Sequence, residues 1–546
     1  MQSSVDPEVG FVVEVNGERA LVELTADTTR PLAADYYPGQ PGTHVKIPVQ
    51  DHSVIGIVSS IKMLNGVNGA AGSAGNGVRK NVAECVLLGM LDRRGRFGRG
   101  VAVYPNVGQK VMMVSPAELK AVFSDFVDFG YSFGRPAHAS EERVYVQVDR
   151  FFGQHIAVLG TTGCGKSYTV VSMLQHAIKK YPNTHIVVLD LHGEYAAAFP
   201  DDVNVIDGDS VELPYWLLSF DEFQDLFVDL SEFTAKNQIT VLRDAIVRAK
   251  QNAEAQERLG LGAAVTADSP VYYDIEEMLE SIRGWNIQMV YNSKGELEQG
   301  PLYGAFDKFL IRFDARKSDP RFAFMFTPRK YTDSGSLVTL LREYLSIDTG
   351  KRMTVVDLSG VPSEAVSVMV AVVCRIVFEF NLWNPERERF PILLVLEEAH
   401  NYVPAVEQGR YTSARIAVER ILKEGRKYGT GAIIVSQRPK ELSETVLSQC
   451  NTFIAMRLTN PDDQAYVRKL VPDSLSGLMS MLPALRTGEA LILGDSVAMP
   501  TRVMIDMPNP PPMSSNIQYA RWWKEGVLGL DVERVVRRWR SRQKTA

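Results

Sequence analysis

The chain has 546 residues, 45% hydrophobic and 23% charged, with a formal net charge of −6. That length exceeds a single hydrophobic core and predicts roughly three to four domains, while the ordinary composition excludes a disordered, collagenous or disulfide-stapled chain. The acidic balance excludes a protein that coats nucleic acid by bulk charge, although a local basic lining would still suffice for binding.

Cys85, Cys164, Cys374 and Cys450 are far apart, with no C-x-x-C and no flanking histidine pattern. They are expected to be reduced intracellular thiols, forming neither a zinc site nor a disulfide framework. Met1-Gln-Ser-Ser-Val-Asp-Pro lacks a basic region followed by apolar residues, so no signal peptide is expected. The most apolar stretch, Val366 to Phe380, is interrupted by Arg375 and Glu379 and falls short of a ~20-residue membrane span. A soluble, cytoplasmic protein with no membrane partner is expected.

In chain order, residues 8 to 115 read as short β segments punctuated by Gly, Pro and Asn: Gly10–Val15, Ala20–Leu24, His44–Ile47, Val54–Met63, Asn81–Leu88 and Lys110–Val114. Such spacing predicts a small β-barrel or sandwich. The Gly/Ala/Asn stretch between Asn65 and Val78 cannot bury a core and predicts a flexible hairpin tip. A short strand is predicted over Arg143 to Asp149. Next, the apolar run His155–Leu159 meets Gly160-Thr161-Thr162-Gly163-Cys164-Gly165-Lys166-Ser167, and a helical pattern begins with Lys166, Ser167 and Tyr168. This is G-x-x-x-x-G-K-[ST] between strand and helix, the context that marks a phosphate-binding loop. The glycines let backbone N–H groups close round phosphate oxygens at a helix N-terminus. Lys166 would reach the β- and γ-phosphates, and the Ser167 hydroxyl would ligate Mg²⁺.

A buried strand, His185 to Asp190, follows the loop helix, and the next strand of that kind is Arg352 to Asp357. Between them, residues 211–345 carry apolar residues three and four apart over Phe220–Leu230, Glu232–Asn252, Ile275–Arg283 and Leu302–Asp314. They predict a helical insertion that serves as a lid, an interface or both. The α/β alternation then resumes with helix Ser363–Phe380, strand Ile392–Glu397, helix Thr412–Tyr428 and strand Gly431–Gln437. Further strands are predicted at Thr452–Leu458, Glu489–Leu493 and Arg502–Asp506. The fold class is α/β, a parallel sheet wrapped by helices. Pro508 to Pro512 form a break before an aromatic and basic tail.

Ile392-Leu-Leu-Val-Leu-Glu397-Glu398-Ala-His400 has the form of a Walker B strand, with two acids at the end where ligands sit. Glu397 is expected to hold Mg²⁺ and Glu398 to orient or deprotonate the attacking water. Asp190 ends the strand after the loop helix and should also point at the nucleotide crevice. Glu194 either joins the metal or water network or caps a helix. Gln437, at the end of the next strand, occupies the place of a γ-phosphate sensor. Arg426, in Glu424-Gly-Arg-Lys-Tyr-Gly429, is either a favourable charge at a helix C-terminus or an arginine finger given to a neighbouring subunit; Arg420, Lys423 and Arg438 compete for that role.

In this order the motifs resemble the HerA family of hexameric DNA translocases, in the same superfamily as FtsK. The resemblance rests on Gln154-His-Ile-Ala-Val-Leu-Gly-Thr-Thr-Gly-Cys-Gly-Lys-Ser167, Asp190-Leu-His-Gly-Glu-Tyr195, Glu397-Glu-Ala-His-Asn401, and Glu424-Gly-Arg-Lys-Tyr-Gly429 leading into Ser436-Gln-Arg-Pro439. It implies a HAS-type barrel (residues 1–142), a RecA-like P-loop ATPase core in two parts (143–210 and 346–508) around the helical insertion (211–345), and a C-terminal arm (509–546). It implies ATP and Mg²⁺ as cofactors and ATP-driven movement of double-stranded DNA through a homo-hexameric ring. Carried onto this chain, Lys166 and Ser167 bind phosphate and metal, Glu398 is the catalytic acid, Gln437 the sensor and Arg426 an arginine acting on nucleotide. Relatives often place Arg before the His of the loop strand; here that position is Gln154, and Arg150 is the nearest basic residue. Gly494 to Arg502, with Pro500, would border the nucleotide base. Family members act with a separate nuclease such as NurA, or beside a sirtuin-like or other defence effector, and this chain has no such motif of its own.

An ABC-type ATPase is excluded because Leu358-Ser-Gly-Val lacks the signature Gly-Gln and Leu475-Ser-Gly-Leu falls after the Walker B strand. The rival from another class is a ring scaffold that uses ATP to assemble or gate a partner enzyme. The tail, Arg534 to Lys544, either touches DNA phosphate or docks a partner.

Overall fold

The computed structural model describes residues 7–26, 37–64, 80–127, 130–138, 142–208, 210–361, 363–406, 412–514, 517–526 and 529–541. The N-terminal strands are β1 (Glu8–Asn16), β2 (Arg19–Leu24), β3 (His44–Val49), β4 (His52–Leu64), β5 (Lys80–Leu91), β6 (Phe97–Arg99) and β7 (Lys110–Met113). They pair in the order β2-β1-β7-β3-β4-β5-β6, and a β2–β5 pairing closes six of them into an antiparallel barrel. Closure removes the free edges that an open sheet of this size would expose. Val12, Val22, Ile47, Val58, Ala83 and Val111 fill the interior. All six expected strands are present. β6 escaped notice because three residues between glycines show no periodicity. The predicted hairpin tip at Asn65–Val78 lies outside the described residues.

The motor strands are β8 (Gly134–Pro136), β9 (Ile156–Leu159), β10 (His185–Asp190), β11 (Val203–Ile206), a separate hairpin of β12 (Met289–Tyr291) and β13 (Leu297–Gln299), then β14 (Met353–Asp357), β15 (Ile392–Leu396), β16 (Thr430–Ser436), β17 (Thr452–Ala455), β18 (Glu489–Gly494) and β19 (Thr501–Ile505). Ten of them form one sheet in the order β11-β14-β10-β15-β16-β9-β17-β18-β19-β8. Seven are parallel, and β18, β19 and β8 complete one edge antiparallel. Every residue of β9, β15, β16 and β17 is buried. Alternate residues serve opposite cores: Ala157 and Leu159 face one, Ile156 and Val158 the other.

Two expectations shift. Residues 134–136 join the motor sheet rather than the barrel, too short a strand to read from pattern. Over Arg143–Asp149 only Val146 makes a β-bridge, to Val497, and a helix over Val148–Gly153 then begins, capped by the Gln147 side chain.

The insertion is helical, over Phe220–Phe227, Ala235–Glu257, Ile275–Asn286, Asp307–Lys317 and Ser336–Tyr344, and its core is continuous with one face of the motor. The apolar run that contains Arg375 is a helix over Ser363–Trp383. By length and composition Ala365–Trp383 could cross a membrane, yet 72% of it is buried inside the protein. Arg375 turns inward to Glu222 of the insertion, with Nε to Oε1 at 3.0 Å and Nη2 to Oε2 at 2.9 Å. Glu222 also caps its own helix, accepting the Ser219 N–H at 2.8 Å. This pair fastens the insertion to the motor. Arg375→Met strands a buried carboxylate and is expected to cost about 3–5 kcal/mol in urea unfolding followed by tryptophan fluorescence. Adding Glu222→Gln, which keeps the cap, should recover a large part of that loss.

Candidate active site

The C-terminal ends of β9, β15 and β16 lie side by side, with Ser436 level with Leu159 and Leu396 level with Ile434. The phosphate loop leaves β9 there. Gly163 and Gly165 adopt left-handed φ of +74° and +102°, and a Cβ on Gly160 would stand 2.6 Å from Cys164 Sγ and 2.9 Å from Met456 Cβ. Only glycines allow this path. Thr161 donates through its N–H and its hydroxyl to the Arg457 carbonyl, both at 2.9 Å. Gly488 N–H donates to the Cys164 carbonyl at 3.0 Å. The Cys164 thiol is buried, which pushes its pKa up. Lys166 opens the helix Lys166–Lys180; its amine lies 3.5 Å from the Thr161 carbonyl and 3.9 Å from Glu398 Oε1. Thr162, Gly163 and Ser167 remain accessible, and Tyr168 is half-buried in the first turn. A cradle of backbone N–H groups with a loosely held cation fits a nucleotide's phosphates.

The two Walker B acids part company. Glu398 takes a left-handed φ of +44°, uncommon for a residue with a side chain, and turns towards Lys166. Its Oε2 accepts the Gln437 N–H at 3.3 Å and lies 3.4 Å from His400 Nδ1. Burial lowers the pKa of His400, which keeps that ring neutral, and Ser436 Oγ is 3.2 Å from the same nitrogen. The Gln437 side-chain oxygen accepts the Thr162 hydroxyl, so the sensor position touches the phosphate loop directly.

Glu397 turns the other way, against the expectation that it presents an open ligand to the metal. It is 2% exposed and its Oε2 accepts the Leu191 N–H at 3.0 Å. Burial and the facing carboxylate of Asp190 raise its pKa well above the usual range, so it is a neutral acid bonded to Asp190. Asp190, expected to point at the crevice, is fully buried and bonds its own turn: Oδ1 accepts Gly193 N–H at 2.8 Å and Oδ2 accepts Tyr195 N–H at 3.0 Å. That turn presents Glu194, whose pKa burial raises and whose carboxylate accepts the Ser167 hydroxyl. Among the described residues no cluster of three His, Cys, Asp or Glu could hold a metal alone. This suits Mg²⁺, which takes few protein ligands and completes its shell with phosphate and water.

Two expected residues stand elsewhere. Pro500 lies at the start of β19, three strands across from β9, and its carbonyl is 3.0 Å from His44 Nε2 of the barrel. Arg99 adds bonds to the carbonyls of Gly494, Val497 and Ala498, so this segment seats the barrel instead of bordering this chain's own nucleotide. Arg426 lies on the turn Gly425–Tyr428, before β16, at the opposite end of the sheet. The seven residues of β16 set it about 20 Å from the phosphate loop. Arg420 packs over Phe378 and faces Glu379, Lys423 bonds Glu419, and Arg438 bonds Glu441. Among the described residues, Arg426 and Arg150 are exposed with no side-chain partner.

A family profile for the HerA helicase central domain matches residues 131–377. A DNA double-strand break repair helicase HerA from Pyrococcus furiosus is 28% identical over 438 residues, 73% of each chain, and one from Sulfolobus acidocaldarius is 28% identical over 407 residues, 74% of each. The chain belongs to the HerA family. VirB4 of Thermoanaerobacter pseudethanolicus aligns with a TM-score of 0.47 at 16% identity, covering 69% of this chain and 96% of that one. As a HerA-family chain it is a P-loop ATPase, with a RecA-like core, an N-terminal barrel and a helical insertion. Short motifs had marked the loop, Glu398 and Gln437. His400 and Ser436, which hold Glu398 from behind, sit inside those motifs but carry no sequence signal of that role. Glu398→Gln in this HerA-family ATPase is expected to keep nucleotide affinity, measured by fluorescence anisotropy, while ATP turnover falls by about 10²–10⁴.

Proposed function

We propose that this chain is an ATP-driven motor on double-stranded DNA, working in the cytoplasm as a homo-hexameric ring beside a separate nuclease or defence effector. The observation that carries this is the division of the site. One end of the sheet holds Lys166, Ser167, Glu398 and Gln437, while the unpaired Arg426 stands at the other, beyond reach of its own phosphate loop. Such a chain has half a site at each end, and stacking copies head to tail completes it. The names of the Pyrococcus and Sulfolobus relatives, DNA repair helicases, support DNA as the track. Four buried, unpaired cysteines accord with a reducing compartment.

In this reading Lys166 and the loop N–H groups hold the β- and γ-phosphates, and Ser167 offers its oxygen to Mg²⁺. The bound metal would neutralise charge on the bridged phosphate oxygens. Glu398, fixed by the Gln437 N–H and by neutral His400, takes the proton of the attacking water. Gln437 joins the γ-phosphate end to Thr162, and Arg426 stabilises transition-state charge in the next copy's site. Force on duplex DNA needs phosphate contacts without base readout, so binding should weaken steeply as salt rises.

A second reading, a ring that assembles or gates a partner enzyme such as a NurA-like nuclease or sirtuin-like effector, draws on the exposed C-terminal helices. Trp523 is 81% and Trp539 67% exposed there, with arginines alongside. ATP turnover with and without duplex DNA, alongside particle mass, separates the two. A ring stimulated by duplex DNA is expected; a monomer indifferent to DNA would sink the motor, and stimulation by a partner protein alone would favour the scaffold. Arg426→Ala should bind nucleotide yet lose turnover. Mixed with Glu398→Gln it should regain part of that turnover, and no recovery at any ratio would count against action between copies.

A further inference from the structure

After β19 the chain does not leave the motor. Asp506 accepts both guanidinium arms of Arg143, at 2.9 and 2.5 Å, and lies 3.3 Å from Nε2 of His176 on the phosphate-loop helix. Gln175, the neighbouring residue of that helix, accepts the Asn509 N–H at 2.9 Å and donates to the carbonyls of Pro510 at 2.8 Å and Ala198 at 3.1 Å. The Met513 N–H then donates to the Glu194 carbonyl at 2.9 Å. Residues 506–513 are therefore a strap laid across the phosphate-loop helix and tied down at both ends.

Its destination matters more than its course. Glu194 is the acid whose carboxylate accepts the Ser167 hydroxyl. A hydroxyl whose proton is engaged from behind keeps its oxygen lone pairs for the opposite side, and such outer hydrogen bonds set the orientation of a ligand oxygen. Residues 510 to 512 are all proline and have no N–H, so Met513 is the first residue past Asn509 able to donate. The prolines also narrow the conformations the strap must lose on docking. The Met513 side chain is 71% exposed, so the backbone bond rather than packing holds this residue at Glu194.

We propose that the strap is a positioning element of the nucleotide site: the Met513 N–H holds Glu194, and Glu194 holds Ser167 in the orientation that presents its oxygen to the metal of a bound Mg–nucleotide. The proposal rests on the reading of this loop as a Mg–ATP site. It makes the C-terminal strap, outside the motifs of the motor, part of the metal side of catalysis, with Met513, Gln175 and Glu194 as positioning residues.

The test uses full-length protein and a fluorescent ADP analogue followed by anisotropy, once with Mg²⁺ and once with EDTA. Met513→Pro deletes the donor and continues the proline run; Met513→Ala keeps the donor and removes the exposed side chain. Met513→Pro should lose about five- to tenfold in affinity with Mg²⁺, the size of one hydrogen bond, and nothing in EDTA. Met513→Ala should match wild type in both. Gln175→Met, which opens the clasp without weakening the helix, should repeat the Mg²⁺-selective loss. Equal affinity of Met513→Pro and wild type in Mg²⁺ overturns the proposal, and so does a loss of the same size in EDTA, which would mark the strap as merely structural. A wild type that ignores Mg²⁺ altogether would overturn the reading of the site itself, a result distinct from either.

Discussion

The parallel register of β9, β15 and β16 is the constraint on which the molecule depends. Strands buried on both faces have no side on which to place a polar group, so chemistry can emerge only where they stop. Because the three run the same way and end together, the phosphate loop, Glu398 and Gln437 meet at one edge without any of them crossing the core. The helix Lys166–Lys180 starts at that edge and turns its positive end to it. Barrel and insertion attach elsewhere, the barrel at the Gly494–Pro500 seat and the insertion at Arg375, which leaves the edge open.

Around that edge, buried charge is handled pair by pair. Glu397 gives up its charge beside Asp190 and braces the turn that carries Glu194. Glu489, with no exposed surface, is held between Arg486 and Arg502, which keep its pKa low, one residue from the Gly488 N–H that anchors the phosphate loop. Glu398 alone keeps a cation at arm's length, 3.9 Å away, and does so from a backbone conformation that costs about 1–3 kcal/mol. Strain of that kind persists only where neighbours enforce it, here the Gln437 N–H and the Pro404–Leu442 bridge that closes the following loop.

The parts legible in the sequence are those written contiguously. Gly160 to Ser167 encodes strand end, glycine turn and helix start in eight residues, and Ile392 to Glu398 encodes a buried strand and its acidic end. Periodicity likewise revealed the barrel strands and the insertion helices. What stayed hidden depends on partners distant in sequence. Nothing local tells Glu397 from Glu398; the left-handed turn at Glu398 and the carboxylate of Asp190 decide which faces the nucleotide. Pro500 carried a role from relatives, yet β18 and β19 run antiparallel and bring it to the barrel. Arg375 read as an interruption because its partner, Glu222, lies 153 residues away. The strap from Asp506 to Met513 read only as a proline-rich break, since its meaning lies in Gln175 and Glu194.

The sheet order also dictates when the protein can work as it is being made. β9 pairs with β16 on one side and β17 on the other, so the strand that carries the phosphate loop waits for residues up to Ala455. The barrel has no such delay, because all its pairings fall between Glu8 and Met113. A growing chain therefore closes its barrel on the ribosome while the loop that will bind nucleotide still lacks both walls, and ends that distant in sequence make the motor sheet the slow step of folding. Nucleotide binding is in consequence a property of the nearly finished polypeptide, and ATP in the cell meets the loop only after the parts that govern its use are already in place.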